Sequence, residues 1–311
     1  MRRRLLQLLS FVLAGYLIGC VVAGVLLTEG ALHPGRRPVM HRKEAAALLA
    51  KEFGAALQDI EVTAADGVTL LGWFARPTKS NGGAVILVHG VSDNREGMGG
   101  YARLFLRHGY SVLLPDARAH GESGGELATY GVFEAGDIAT WASWLRREHR
   151  ASAVFGFGES MGAALILQAL REQQALTAVA AESPFASFRE VAYDRLGQRF
   201  GAGDGLGRTL FRPIAEVGML YARWRYGVDL EHASPENAVE GARIPVLLIH
   251  GAGDDNIPPR HSQRIHARNP SASTLWIVPG AGHGGAVNET PGEFERRLLN
   301  WFDGSGGSQV E

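Results

Sequence analysis

An uncharged apolar run from Leu5 to Leu27 opens the chain. As a helix rising ~1.5 Å per residue, it is long enough to cross a bilayer core of ~30 Å. Thr28 to Pro38 carries Gly and Pro and reads as a juxtamembrane spacer. Arg42 to Phe53 is rich in strong helix formers and predicts a short helix. From Leu57 the hydrophobic period becomes two: Ile60-Glu61-Val62-Thr63 and Thr69 to Phe74 flank Ala64-Ala65-Asp66-Gly67, a hairpin with an Asp-Gly turn. Beyond it, short apolar runs alternate with helical stretches. The strand-like runs are Ala84–Val88, Ser111–Leu114, Ala153–Phe157, Ala178–Ala181, Val246–Ile249 and Leu275–Val278. Helical spacing falls at Tyr101–Arg107, Phe133–Arg147, Gly162–Glu172, Arg260–Asn269 and Glu293–Phe302. Such alternation predicts an α/β fold, a mainly parallel sheet with helices on both faces and an antiparallel hairpin at its start.

A long insert, roughly Pro184 to Ala242, interrupts the alternation. Within it Leu210, Ile214, Val217, Tyr221 and Trp224 repeat at helical steps and form one apolar stripe. That stripe is expected to pack on the main core; the alternative is a small cap that shapes an acyl pocket or leans toward a bilayer. The predicted organisation is an anchor or signal over 1–27, a linker and short helix over 28–56, one domain over 57–303 with the insert near 184–242, and a disordered tail over 304–311.

The amino end admits more than one reading. Arg2-Arg3-Arg4 before an apolar run suits an uncleaved anchor, and also a secretory signal. Leu17-Ile18-Gly19-Cys20 resembles the lipobox of bacterial lipoproteins, yet Val21 to Leu27 continues the apolar run where a lipoprotein turns polar. An uncleaved single-pass anchor is therefore the expectation. Arg36, Arg37, Arg42 and Lys43 flank its other end, so charge leaves the side of the membrane open, an extracytoplasmic domain being favoured.

Composition narrows the function by exclusion. A net charge near −1 gives no electrostatic footprint for nucleic acid. Cys20 is the sole cysteine, so neither an internal disulfide nor a Cys-based metal site can form. No group of His, Asp and Glu has ligand spacing such as H-E-x-x-H, and no phosphate-cradling Gly loop follows a first strand. No cofactor is implied.

The candidate chemistry centres on Gly158-Glu159-Ser160-Met161-Gly162, between a buried strand and an Ala-rich helix. A G-x-S-x-G turn in that context is a nucleophile elbow: the turn strains the serine backbone and leaves room for only small residues at the two flanking positions. It would hold the Ser160 hydroxyl above the sheet and aim the Met161 N–H at the same point.

With these residues the sequence resembles the α/β-hydrolase superfamily over about Leu57 to Phe302, closest to membrane-anchored, esterase- or peptidase-like members with a small helical cap. Val85-Ile86-Leu87-Val88-His89-Gly90 matches the family's strand ending in His-Gly, and the resemblance makes Val91 an oxyanion-hole donor beside Met161. Asp116 to Ser123 matches its Asp-x-Arg-x-His-Gly-x-Ser loop, and Glu182-Ser183-Pro184-Phe185 resembles the segment after the strand that follows the nucleophile helix. His250 to Pro258 matches the signature around the acid, and Pro279-Gly280-Ala281-Gly282-His283-Gly284 the loop that carries the base. The order Ser160, Asp254, His283 is the family's order.

The chemistry requires the same set of groups. A serine hydroxyl attacks only if a base takes its proton, and histidine suits that task at neutral pH. A carboxylate must then hold the imidazole tautomer. His283 follows the last strand in a Gly-rich loop; His250 reads as turn structure. Asp254 is favoured by motif register over its neighbour Asp255, and Asp116 stands as a further alternative acid. Glu159 is given no role beyond orienting groups or polarising the entrance. The expected activity is acyl-enzyme hydrolysis of an ester, thioester or amide, most simply of small acyl or lipid-like esters near a membrane. A serine peptidase or acyltransferase of the same fold, or a membrane-tethered binding protein, is the alternative. Because none of the proposed catalytic residues precedes Val91, a chain starting near Arg42 is expected to work without the anchor.

Overall fold

The computed structural model describes residues 2–172, 176–199, 201 and 203–306. Its eight strands are β1 (Leu57–Thr63), β2 (Thr69–Ala75), β3 (Gly83–Val88), β4 (Ser111–Pro115), β5 (Ala153–Glu159), β6 (Ala178–Glu182), β7 (Val246–Gly251) and β8 (Ser273–Val278). They form one sheet in the order β1-β2-β4-β3-β5-β6-β7-β8. The β1–β2 and β2–β4 pairs are antiparallel and every later pair is parallel. This is the mainly parallel sheet with an antiparallel hairpin at its start that the alternating pattern predicts, and the α/β-hydrolase fold that the family resemblance implies.

The helices are α1 (Arg2–Leu32), α2 (Arg42–Phe53), α3 (Gly99–Arg107), α4 (Glu134–His149), α5 (Met161–Gln168), α6 (Phe188–Arg199), α7 (Gly203–Arg208), α8 (Arg212–Tyr226), α9 (Pro235–Ala238), α10 (Arg260–Arg268), α11 (Ala286–Glu289) and α12 (Pro291–Gly306). The central strands are buried on both faces because each face carries its own core. On one face Trp73, Phe105, Phe155, Phe157, Phe294 and Phe302 pack beneath α3 and α12; on the other Phe74, Trp141, Leu165, Ile166 and Ile265 pack beneath α4, α5 and α10. Fully burying one such side chain contributes ~1.5–3 kcal/mol.

The two ends of the chain depart from the sequence reading. Helix α12 continues through Gly304 to Gly306, past Phe302, because buried Phe302 seats its last turns and the Ser305 hydroxyl bonds the Trp301 carbonyl at 2.7 Å. Residues 307–311 of the expected tail lie outside the described residues. At the other end α1 runs on through Thr28 to Leu32, where a spacer was expected. The segment between Leu32 and α2 is fastened to the domain. Arg36 donates to the Ser123 and Gly125 carbonyls, Arg37 pairs with Asp93 at 2.7 Å, and the Asn94 amide bonds the Arg37 and Pro38 carbonyls.

The insert's stripe also finds a different partner. Instead of the main core it meets α1, which runs alongside α8 in the same direction. Cys20 packs with Ile214 and Ala215, and Leu32 with Met219 and Ala222. The two backbones come close at facing glycines: a Cβ on Gly24 would lie 2.7 Å from the Ile214 carbonyl, and one on Gly218 would run into the Thr28 hydroxyl. Tyr221 and Tyr226 both donate to Glu29, at 2.6 and 2.7 Å. At the end of the stripe Trp224 points away and is 79% exposed.

Candidate active site

Strand β5 ends at Glu159 and α5 starts at Met161, so Ser160 takes the whole turn. Its φ of 56° lies in the left-handed region, which a non-glycine residue occupies at a cost of ~1–3 kcal/mol. The neighbouring glycines have no alternative. A Cβ on Gly158 would strike the Gly162 carbonyl, and one on Gly162 would strike that of Val88. The Ser160 N–H is tied to the Glu182 carbonyl at 2.8 Å, which anchors the turn across to β6.

Three parallel strands end at the same edge and bring their following loops together. His283, in the loop after β8, places Nε2 2.9 Å from Ser160 Oγ. Its Nδ1 lies 2.8 Å from Asp254 Oδ2, in the loop after β7. An ionised Asp254 requires the hydrogen on Nδ1, which leaves Nε2 as the acceptor for the serine O–H. Asp254 is buried, and burial works against its ionisation. Hydrogen bonds from His250, His283 and the Ile257 N–H outweigh that and hold its carboxyl well below the usual carboxylate range.

The alternatives fall elsewhere. Asp255 is exposed. Asp116 is buried and spent: Oδ1 accepts the Arg95 N–H at 2.8 Å, and Oδ2 accepts the Glu122 N–H at 2.8 Å and the Arg95 guanidinium at 2.9 Å. His250 is also buried. Its Nδ1 meets the Ser262 hydroxyl at 2.7 Å, while Nε2 faces the Ile257 carbonyl at 2.7 Å and Asp254 Oδ2 at 3.3 Å. Two acceptors at Nε2 put the hydrogen there, so His250 steadies the carboxylate from behind. In the sequence, His250 shows only as part of a turn.

Val91 and Met161 line the same cavity as Ser160. Met161 is the first residue of α5, so its N–H has no intrahelical acceptor. The turn carrying Val91 runs beside Ser160, since a Cβ on Gly90 would stand 3.6 Å from Ser160 Cβ. The cavity, about 580 Å³, is walled mainly by apolar side chains: Phe185, Phe188 and Ile257 from the domain, Ile214 and Met219 from α8. Gly24, Leu27, Thr28 and Ala31 of α1 complete it. The expectation of an anchor standing apart from the catalytic domain does not hold, because the stripe on α8 seats α1 against the site.

Glu159 turns inward rather than toward the entrance. It pairs across the sheet with Glu182, and Tyr101 Oη lies 3.2 Å from one carboxyl and 3.1 Å from the other. One O–H can donate to only one of them at a time. Burial raises both carboxyls, Glu182 to about 7. Glu182 Oε1 also accepts the Ala286 N–H at 2.9 Å, which braces the loop behind His283. Two carboxyls under one histidine loop were legible as residues but not as a pair, because strand register brings them together.

Among the described residues, no group of three or more His, Cys, Asp or Glu is placed to hold a metal ion.

A match of residues 85–297 to the alpha/beta hydrolase family model accompanies this geometry, and the chain belongs to that family. Its relatives include YqkD of Bacillus subtilis, 28% identical over 245 residues and 78% of each chain. Among solved structures, the Pyrococcus furiosus esterase Pf2001 superposes with a TM-score of 0.68 at 24% identity, over 89% of this chain and 98% of that one. A puromycin-hydrolyzing peptidase of Mycobacterium tuberculosis matches with a TM-score of 0.64 at 17% identity, over 81% of this chain and 40% of its own. At such identities the likeness is one of fold.

Proposed function

We propose that this protein is a membrane-anchored serine hydrolase that cleaves carboxylic esters through an acyl-enzyme. The observation that carries the reading is the unbroken hydrogen-bond path from Ser160 Oγ through both His283 nitrogens to Asp254. Ser160 Oγ attacks the acyl carbonyl as its proton passes to His283 Nε2. The Val91 and Met161 N–H groups take the developing oxyanion, each donor worth about 3 kcal/mol in such sites. His283 then protonates the departing alcohol. Water, deprotonated by the same nitrogen, attacks the acyl-enzyme and releases the acid, so ester plus water gives acid plus alcohol.

The apolar cavity beside Ser160 supports an acyl substrate. A structural likeness to Pf2001, named an esterase, points the same way. Peptide hydrolysis is the second reading, since the same fold carries the puromycin-hydrolyzing peptidase. Helix α1 is long and apolar enough to cross a membrane, which supports the anchor. Ser160→Ala tests the reading: fluorophosphonate labelling and ester turnover should both vanish while the melting temperature stays near wild type. Retained labelling would place the nucleophile elsewhere.

A further inference from the structure

We propose that α1 is part of the acyl-binding site, and that the substrate is a bilayer-borne acyl ester whose hydrocarbon chain lies along the Gly24–Ala31 face of this helix; the proposal rests on the serine-hydrolase reading above. A tether needs no surface on the cavity. Here one helix supplies Gly24, Leu27, Thr28 and Ala31 to the chamber that contains Ser160.

That wall is held from both sides. Helix α8 grips it through the facing glycines Gly24 and Gly218 and through the two tyrosines on Glu29. The main domain grips it through the Ala128 N–H on the Leu32 carbonyl at 2.9 Å, and through the Tyr130 hydroxyl on the Ala31 carbonyl, also at 2.9 Å. Tyr130 itself lines the cavity. A wall fixed at this many points has a set position relative to Ser160, as a specificity element requires.

The opposite side of α1 identifies where the chain comes from. Ile18, Val21, Val22 and Leu26 are exposed, and so are Leu220, 68%, and Trp224 on the neighbouring α8. A contiguous apolar surface on a helix of membrane-spanning length faces lipid rather than water. Leu27 lines the cavity and is itself 37% exposed, so at this residue the chamber wall reaches the outer surface of the molecule. It therefore marks the rim by which a chain would enter. An acyl chain passing this rim exchanges one apolar environment for another, so little desolvation opposes its transfer.

The test uses the full-length protein in detergent micelles with p-nitrophenyl acetate and p-nitrophenyl octanoate. Ala31→Trp and Leu27→Trp each add bulk to the wall without removing a hydrogen-bonding side chain. The octanoate-to-acetate ratio of kcat/KM should fall about tenfold or more in both, the equivalent of ~1.4 kcal/mol lost from long-chain binding in the transition state. An unchanged ratio in Leu27→Trp, with Ser160 still labelled by a small fluorophosphonate, would overturn the proposal. Should Ala31→Trp fail to fold, Leu27→Trp at the exposed rim decides alone. A wild-type protein that neither takes up the fluorophosphonate nor cleaves acetate would instead refute the hydrolase reading, a distinct outcome.

Discussion

Two walls face each other across the cavity, and they are specified in opposite ways. The sheet-edge wall carries Ser160, with His283 and Asp254 behind it, each in a short contiguous motif whose backbone geometry is local. The other wall, α1 against α8, is made by residues far apart in the chain, such as Glu29 and Tyr221, separated by 192 positions. No local rule links those partners. The sheet edge would supply the chemistry and the helical wall the choice of substrate, so sequence motifs report the reaction more readily than the substrate.

Substitutions in the acid loop should have the largest effect and break the first wall selectively. Asp254→Asn should lower kcat by about 10⁴, the loss associated with an Asp to Asn change in a serine triad, because His283 loses its tautomer partner. Asp255→Asn should change kcat little, since its side chain is exposed. Steady-state kinetics on a soluble ester checks both, and equal losses would remove the distinction between the neighbours.

Removing α1 sharpens the contrast. A chain starting at Arg42 lacks the four α1 residues of the cavity and the Arg36 and Arg37 fastenings. It should melt lower, since losing a buried Leu32 alone costs ~1.5–3 kcal/mol and leaves Met219 and Ala222 exposed. Calorimetry alongside activity on short and long esters reads this. An unchanged melting temperature and chain-length profile would return α1 to the role of a tether.

The sequence carried the sheet, its strand alternation and the three residues of the proposed relay because strand-end loops of this fold hold their motifs in contiguous segments. It did not carry the support behind them. His250 behind Asp254 reads as a turn residue until β7 and the Asp254 loop are folded together. Glu159 and Glu182 face each other only through β5–β6 register. On the helical wall, the stripe on α8 was legible and its partner was not, because an apolar run announces burial in lipid as readily as packing on protein. Gly24 and Gly218 mark the close approach, yet each alone is one of many glycines.

A smaller effect tests the carboxyl pair beneath the sheet edge. Burial raises Glu182 from its ordinary 4.5 to about 7, so between those values the folded chain keeps a proton that the unfolded chain releases. Stability from this group is therefore undiminished below about pH 4.5 and falls as pH rises toward about 7. Glu182→Gln removes the loss and should gain relative to wild type by ~2–3 kcal/mol between about pH 5 and about pH 8. Denaturant unfolding at the two pH values measures it. A constant difference would show that Glu182 does not carry the proton.

A further modest effect is expected at the helix contact. Gly218→Ala puts a methyl group against the Thr28 hydroxyl and should cost ~1–3 kcal/mol by overpacking, with the acetate rate less affected than the octanoate rate. Equal loss on both esters would place the damage in the fold rather than in the wall.

The covalent intermediate itself gives the most direct test of the account. Rapid acid quench of the full-length protein during turnover of p-nitrophenyl octanoate, followed by peptide mass spectrometry, should find the octanoyl group on the peptide containing Ser160. It should be absent from Ser160→Ala. Turnover with no acylated peptide at a quench time within the burst, or an acyl group carried by a different residue, would contradict it.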